Sequence, residues 1–241
     1  LLWPEQFTTD IDPDYNITEI SPMSINNDES VTISFTVQNG KQSSSDWIAA
    51  YSPPGANITL TVPVKYAFCD ESPDYLSTGV GSIAFNLTNL RDDVEFILMR
   101  GGTYQGIATN IYNENVTFNS FAEPLRPRVV PTGDLDVFNL LWSSNSSVNP
   151  MMKWGISSGN YTVDAPATAG HIDKSEFCTG WQSYATTTGW RDLGIILTAP
   201  MEGMKALANQ KIYYIFGDEQ NGGWSREYVF FAPPLPGTQP P

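Results

Sequence analysis

Short segments in which apolar and polar residues alternate, separated by turn-rich stretches, constrain the fold of this chain more than any other feature. Residues 30–37 (SVTISFTV) place Val31, Ile33, Phe35 and Val37 at every second position. Successive side chains of a β-strand point to opposite faces, so this pattern is typical of a strand with one buried face. No stretch longer than a turn or two has convincing helical periodicity. The sequence therefore predicts an all-β fold.

Similar short segments predict further strands along the whole chain. In the first half they are residues 47–51, 62–68, 82–87, 94–99 and 106–112. In the second half they are residues 137–143, 152–156, 160–165, 194–198, 212–217 and 226–232. Many short strands with turns between them are typical of antiparallel sandwiches. Trp142 and Trp154 are predicted to fill the core of the second half, as buried tryptophans commonly do in such folds.

The length and the placement of prolines predict two domains. A chain of 241 residues is too long for one simple sandwich and fits two. Prolines at 124, 127 and 131 indicate a boundary and an extended linker leading into an edge strand. We therefore expect two tandem antiparallel β-sandwiches, with this division: an extended N-terminal arm at 1–28, a first sandwich at 29–123, a second at 124–234, and a proline-rich tail or linker at 235–241.

The charge of the chain argues against some functions. Lys and Arg total 12 against 26 Asp and Glu, which gives a formal net charge of −14. A surface this acidic repels phosphate backbones, so nucleic-acid binding is disfavoured. No apolar run approaches the length that crosses a bilayer, so we expect no membrane span. The chain begins at Leu1 without a signal peptide, which suggests a processed mature chain or a trimmed piece.

N-glycosylation sequons indicate the compartment. Six occur, where chance predicts about three. Their asparagines are Asn16, Asn57, Asn86, Asn115, Asn145 and Asn160. We therefore expect a secreted glycoprotein that carries N-linked glycans. The alternative is a Thr-rich β protein that accumulated sequons by chance.

Two cysteines leave the redox state open. A bridge between Cys69 and Cys178 would close a loop of about 109 residues and stabilise the fold by about 4–5 kcal/mol in the chain-entropy model. Alternatively, either cysteine pairs with another region or stays a buried free thiol. The sequence does not choose among these.

Several motifs, taken in order and spacing, carry a family resemblance. They are the DWIAAYSP segment at 46–53, the YLSTGVGS segment at 75–82, the RDDVEFILM segment at 91–99, the Gly-Trp-Arg-Asp turn at 189–192, the Tyr-Tyr pair at 213–214, the Gly-Asp turn at 217–218 and the Gly-Trp-Ser strand at 223–225. Together they resemble the N-terminal fibronectin-III-like domains of the longer plant-type and oomycete-type purple acid phosphatases, a family of binuclear metallophosphoesterases.

This resemblance implies two tandem fibronectin-III/immunoglobulin-like sandwiches that form the non-catalytic N-terminal region of a secreted protein, extracellular or in the cell wall. The parent would hydrolyse phosphate monoesters at mildly acidic pH, at a binuclear centre of Fe with Zn, Mn or Fe. Its catalytic domain would begin where this chain ends. The implied partners are that C-terminal metallophosphoesterase domain or another copy of the chain, with Trp190, Arg191, Asp192 and Trp224 as candidate docking residues.

The ligand motifs of that family's metal centre are absent from the sequence. His171 is the one histidine, and Gly217-Asp218 is followed by Glu-Gln-Asn, which fits neither Gly-Asp motif of the family. Two metals need more donors than one imidazole supplies, so we expect no catalytic residue, no metal ligand and no cofactor in this chain. A Ser-His-Asp triad is disfavoured for the same reason.

Two further interpretations remain open. The acidic run at Asp10, Asp12 and Asp14 lacks the glycine and the glutamate of a calcium loop, so a solvated acidic segment is expected there.

For the whole chain, the alternative to an enzyme's N-terminal region is a stand-alone extracellular structural, adhesive or binding glycoprotein that uses the same sandwiches without activity. A receptor-like fibronectin tandem is a third option.

Overall fold

The structure is a computed structural model that describes residues 7–38, 40–101, 106–176, 192 and 194–237. Within these residues the chain divides into two compact units, residues 7–119 and the residues from Ser120 onward. Both units consist of β-sheets, and the longest helix described is a single turn, α1 (Tyr75–Thr78). The predicted all-β fold of two tandem antiparallel sandwiches is confirmed.

The first unit contains two sheets and a short additional strand pair. Its strands are β1 (Thr8–Thr9), β2 (Tyr15–Ser21), β3 (Ser24–Ile25), β4 (Glu29–Val37), β5 (Trp47–Tyr51), β6 (Lys65–Phe68), β7 (Val80–Leu87), β8 (Glu95–Arg100), β9 (Ile107–Ile111) and β10 (Thr117–Phe118). One sheet has the order β1-β9-β8-β5-β6, and the other has the order β2-β4-β7. All pairs in these sheets are antiparallel except β1 with β9, and β3 with β10 forms a separate parallel pair.

Strand β5 is buried at all five positions because apolar groups cover both of its faces. On one face, Phe96 of the neighbouring strand β8 contacts Phe85 of β7 at a distance of 5.3 Å between ring centroids. This contact joins the two sheets. On the opposite face, Trp47 packs with Phe7, which precedes β1, at a centroid distance of 5.6 Å. This double burial explains why the WIAAY segment lacks the alternation seen in β4.

The prediction of an extended N-terminal arm at 1–28 was wrong for the described part of that segment. Strand β2 pairs with β4 over its whole length, and Tyr15, Ile17 and Ile20 are buried. The register shifts between Ile17 and Glu19, so one extra residue interrupts the period-two pattern. A bulge of this kind hides a strand from a search for strict alternation.

The second unit also contains two sheets. Its strands are β11 (Leu125–Pro131), β12 (Val137–Ser144), β13 (Pro150–Gly155), β14 (Val163–Pro166), β15 (Thr168–His171), β16 (Ile195–Glu202), β17 (Lys211–Asp218), β18 (Gly223–Trp224) and β19 (Tyr228–Phe231). One sheet has the order β11-β12-β16-β15. The other has the order β14-β13-β17, and both β18 and β19 pair with β17.

Aromatic and aliphatic side chains of both sheets form the core of the second unit. Trp142 of β12 and Trp154 of β13 are buried, with 1% and 6% of their surface exposed, which confirms their predicted place. Trp142 contacts Phe216 of β17 at a centroid distance of 5.4 Å. The proline-containing strand β11 lies at a sheet edge, where a missing N–H costs no ladder bond.

Strand β15 was not predicted from the sequence. Its four residues, TAGH, are all exposed, so they carry no apolar pattern that indicates a strand. Backbone pairing with β16 holds it at the edge of its sheet. This strand positions His171 at the surface.

Candidate functional site

Two of the family-like motifs in the first unit meet at a buried hydrogen bond. Tyr75 donates its hydroxyl to Oδ2 of Asp46 at 2.5 Å, and both residues are fully buried. The backbone N–H of Ser43 donates to the same oxygen at 2.7 Å. Burial raises the pKa of Asp46, and these two hydrogen bonds oppose that rise without cancelling it. The acidic residue of the first motif therefore supports the loop before β5.

The Gly-Asp and Gly-Trp-Ser motifs of the second unit form one hairpin, in which Gly217 pairs with Trp224 and Asp218 with Gly223. A Cβ on Gly217 would lie 2.1 Å from the carbonyl oxygen of Gly223, and the φ of Gly217 is +154°, so only glycine fits. Ser225 accepts a hydrogen bond from the N–H of Phe216 at 3.1 Å. The glycine of this motif thus serves backbone packing.

Asp218 ties that hairpin to the loop between β12 and β13. Its Oδ2 accepts hydrogen bonds from the Ser146 hydroxyl at 3.1 Å and the Asn149 N–H at 2.8 Å. Its Oδ1 accepts one from the Gln220 N–H at 3.0 Å. Burial raises the pKa of Asp218, but these donors outweigh it and hold the pKa below its ordinary value. With its acceptor sites used in this way, Asp218 is a structural carboxylate.

Two of the four predicted docking residues are described. Trp224 is half-exposed, and the Lys153 ammonium lies 4.9 Å from its ring centroid. Asp192 is exposed, and its carboxylate lies 3.3 Å from Nε2 of His171. The N–H of Gly194 and the histidine ring lower the pKa of Asp192. Trp190 and Arg191 lie outside the described residues, so the structure does not place the four residues together.

A binuclear metal centre does not fit the described part of the chain. Within it, no group of three or more His, Cys, Asp or Glu side chains could hold a metal ion. Asp218 is committed to three donors, and His171 faces a single carboxylate at the surface. Asp12 and Asp14 of the acidic run contact the Lys41 ammonium, so this segment is paired with a cation.

All six sequon asparagines are exposed: Asn16, Asn57, Asn86, Asn115, Asn145 and Asn160. Asn16 and Asn86 lie on strands β2 and β7, and they point away from the core because their neighbours Ile17 and Leu87 are buried. Exposure makes each site accessible, and the occupancy of each stays a prediction.

The loop that carries Asn160 is held by a residue that the sequence did not indicate. Glu227 accepts hydrogen bonds from the Ser158 hydroxyl at 2.6 Å, the Gly159 N–H at 2.7 Å and the Tyr161 hydroxyl at 2.7 Å. These donors lower the pKa of Glu227. The partners lie more than 60 residues apart in the chain, so no local pattern could have found this contact.

Cys69 is buried and forms no disulfide with any described residue, and burial raises the pKa of its thiol. Cys178 lies outside the described residues. The bridge between the two cysteines therefore stays a prediction.

No helix in the described part of the chain is long and apolar enough to cross a membrane.

A family model described as "Fn3-like domain from Purple Acid Phosphatase" matches residues 17–119. The match starts inside β2, in agreement with the place of that strand in the first sandwich. Among solved structures, purple acid phosphatase PPD1 from yellow lupin (Lupinus luteus) seeds is similar, with a TM-score of 0.75 and 28% sequence identity. The similarity covers 94% of this chain and 42% of the lupin protein.

Curated relatives from Arabidopsis thaliana carry related names. The chain is 32% identical to "Probable inactive purple acid phosphatase 1" over 218 residues, which cover 82% of this chain and 34% of that protein. It is 28% identical to "Probable inactive purple acid phosphatase 27", covering 85% of this chain and 36% of that protein. The chain thus spans about a third of the length of the curated relatives that it matches.

Proposed function

Since the chain belongs to the purple acid phosphatase family, we propose that it is the non-catalytic β-sandwich region of a longer secreted glycoprotein. In this proposal the parent hydrolyses phosphate monoesters at a binuclear metal centre of Fe with Zn, Mn or Fe. The two sandwiches support or cover the metallophosphoesterase domain, or join two copies of the protein. They supply no metal ligand.

The observation that carries this proposal is that the acidic motif residues form hydrogen bonds inside the sandwiches. Asp46 and Tyr75 are bonded to each other in the interior, and Asp218 is committed to Ser146, Asn149 and Gln220. Both carboxylates are buried, and Asp218 is also held by three donors, so neither is accessible to a substrate or a metal. Residues of this kind favour a scaffold, because chemistry on phosphate esters needs exposed and convergent donors.

A phosphatase assay tests the non-catalytic assignment directly. The chain as given, incubated with Fe and Zn at mildly acidic pH, is expected to release no phosphate from p-nitrophenyl phosphate above the metal-only blank. Turnover that survives purification and disappears on heat denaturation would refute the assignment. Reading the gene beyond the codon for Pro241 tests the parent, because the enzyme proposal requires Gly-Asp and Gly-Asn-His motifs downstream.

Secretion to the extracellular space or the cell wall is supported by the exposure of all six sequon asparagines. Peptide mapping of protein from its native source is expected to find N-linked glycans on several of them. Six unmodified asparagines in such protein would contradict secretion through a glycosylating pathway.

A second candidate function has its own support. The curated relatives are named as probable inactive phosphatases. On this basis, the alternative is an extracellular structural, adhesive or binding glycoprotein without activity. A parent protein with an intact metallophosphoesterase domain and no turnover on any phosphomonoester would favour this candidate over the first.

A further inference from the structure

The outer face of one sheet in the second unit carries exposed apolar groups and lysines. On β17 and β19 the side chains that alternate with the core residues point outward. Phe231 and Val229 of β19 are 62% and 47% exposed, and they lie beside Lys211 and Tyr213 of β17. We call Lys153, Lys211, Tyr213, Trp224, Val229 and Phe231 the lysine–aromatic face.

The two lysines of this face lie over aromatic rings. The Lys153 ammonium is 4.9 Å from the ring centroid of Trp224, and the Lys211 ammonium is 5.6 Å from that of Phe231. Neither lysine has a carboxylate within 4 Å among the described residues, although Asp164 pairs with Lys153 in the β-ladder. By contrast, Lys41 and Lys205 each contact a carboxylate. Lys65 also lacks a carboxylate partner in the part of the chain that the structure describes, but its ammonium donates to the backbone carbonyl of Asn86 rather than lying over a ring.

The outer face of the small sheet in the first unit provides a contrast. There the outward residues of β4 are Ser30, Thr32, Ser34 and Thr36, and the flanking strands carry the sequons at Asn16 and Asn86. The lysine–aromatic face has no sequon asparagine on β13, β17 or β19. Glycans on the six sequons therefore leave its strands unmodified.

We propose that the lysine–aromatic face docks an acidic segment of a protein partner, with carboxylates paired to Lys153 and Lys211 and apolar groups packed on Phe231 and Val229. Charge complementarity favours this occupant, because both ammonium groups lie over aromatic rings and neither contacts a carboxylate of the described residues within 4 Å. Among the described strands, β19 pairs with β17 alone, so the other side of its backbone can pair with an extended peptide. This inference deepens the proposed function, in which the sandwiches bind a partner.

Binding of a labelled peptide to the full chain tests the proposal. The probe is a fluorescein-labelled peptide of two Glu-Ser-Val-Ser repeats, roughly 27 Å long when extended, which is the length of an eight-residue strand. We expect saturable binding by fluorescence anisotropy. The binding should weaken several-fold between 50 and 500 mM salt, because the Debye length falls from roughly 14 Å to roughly 4 Å. The matched peptide with Lys in place of Glu is expected not to bind.

Substitutions test whether the peptide binds at the lysine–aromatic face. Lys153→Glu combined with Lys211→Glu should weaken peptide binding about tenfold or more, and Phe231→Ser several-fold. Lys205→Glu reverses one lysine charge outside the face and should leave binding unchanged, whereas Lys153→Glu or Lys211→Glu alone should weaken it. Circular dichroism and thermal unfolding check that each variant is folded.

Three outcomes would overturn the proposal: no binding of the acidic peptide, equal binding of the lysine peptide, or binding that the face variants leave unchanged. Self-association of the chain that the same variants abolish, measured by sedimentation equilibrium, would also overturn it and would make a second copy the occupant. None of these results bears on phosphatase activity or on glycan mapping, so the proposed function stands or fails separately.

Discussion

Removal of the Tyr75 hydroxyl is expected to destabilise the first sandwich strongly. In Tyr75→Phe the ring stays in place, edge-on to Phe35 at a centroid distance of 5.4 Å, so the change is confined to one oxygen. The buried carboxylate of Asp46 then keeps only the N–H of Ser43 as a donor on Oδ2. Its Oδ1 is buried and has no hydrogen-bond partner in the described structure.

The magnitude follows from the charge of the acceptor. A hydrogen bond to a charged group contributes about 1.5–3 kcal/mol, and loss of a donor to a buried carboxylate lies at the upper end of that range. We therefore expect a loss of about 2–3 kcal/mol at neutral pH. For a sandwich of this size that corresponds to a fall of roughly 8–12 °C in the melting temperature of its transition.

The pH dependence has a definite sign. The Tyr75 hydrogen bond lowers the pKa of Asp46, so it stabilises the ionised carboxylate more than the protonated one. Its contribution is present where Asp46 is ionised and is lost as pH falls through the folded-state pKa, which lies above the ordinary aspartate value. The destabilisation by Tyr75→Phe should therefore shrink in acid. Asp46→Asn should remove this pH dependence.

Two other tyrosines of the same unit supply matched controls. The Tyr15 hydroxyl donates to the neutral carbonyl of Lys41 at 3.0 Å, so Tyr15→Phe should cost about 1 kcal/mol. The Tyr51 hydroxyl is buried without a partner in the described structure, so Tyr51→Phe should be neutral or stabilising. Urea unfolding, with hydrogen exchange in β5 as a local probe, measures all three. Equal losses in the three variants, or a loss from Tyr75→Phe that does not vary with pH, would refute the reasoning.

Three further predictions concern single residues. Asp218→Asn should destabilise the second sandwich by about 2–3 kcal/mol at pH 7, because an amide N–H replaces one acceptor oxygen. Since the pKa of Asp218 is lowered in the folded state, this loss should vanish as pH falls through that pKa. Thermal unfolding measures it, with the exposed Asp134→Asn as the control. Gly155→Ala should prevent the turn at Asn160 from closing, because the added Cβ would lie 2.2 Å from the backbone oxygen of Asn160. The control is Gly133→Ala, where the added Cβ meets open space, and it should be neutral in the same unfolding assay. Cys69 should react with a thiol reagent only after unfolding, because the thiol is buried and its pKa is raised; a failure to react in denaturant without reductant would instead indicate a bridge.

Strands with one buried face were predictable because their alternation is local. Residues 30–37 and 47–51 were assigned to strands that the structure places at Glu29–Val37 and Trp47–Tyr51. Strand β2 was missed because its bulge interrupts the period, and β15 because an exposed edge strand needs no apolar residues. Local pattern therefore determines which segments pack, and backbone pairing adds strands that no pattern indicates.

The candidate site was less predictable, because its contacts join residues that are far apart in the sequence. Lys153 meets Trp224, and Glu227 holds the loop at Ser158, across separations that only the strand register reveals. Trp224 was selected from a motif resemblance, whereas its lysine partner has no motif. The alternation of β19 could have indicated the exposed Phe231, once the inward face was known.

Stability and recognition are assigned to different residues in this chain, and that division can be tested. Asp46, Tyr75 and Asp218 belong to the family-like motifs, and they are buried and hydrogen-bonded. A protein can therefore share these residues with a relative and still bind a different partner. Phe231 and Lys211 belong to no motif and face solvent. Variants of the first group should therefore lower unfolding free energies and leave the peptide affinity of the folded fraction unchanged, and variants of the second group should do the reverse. A motif variant that stays fully folded yet loses peptide binding would show that the two sets of residues are coupled.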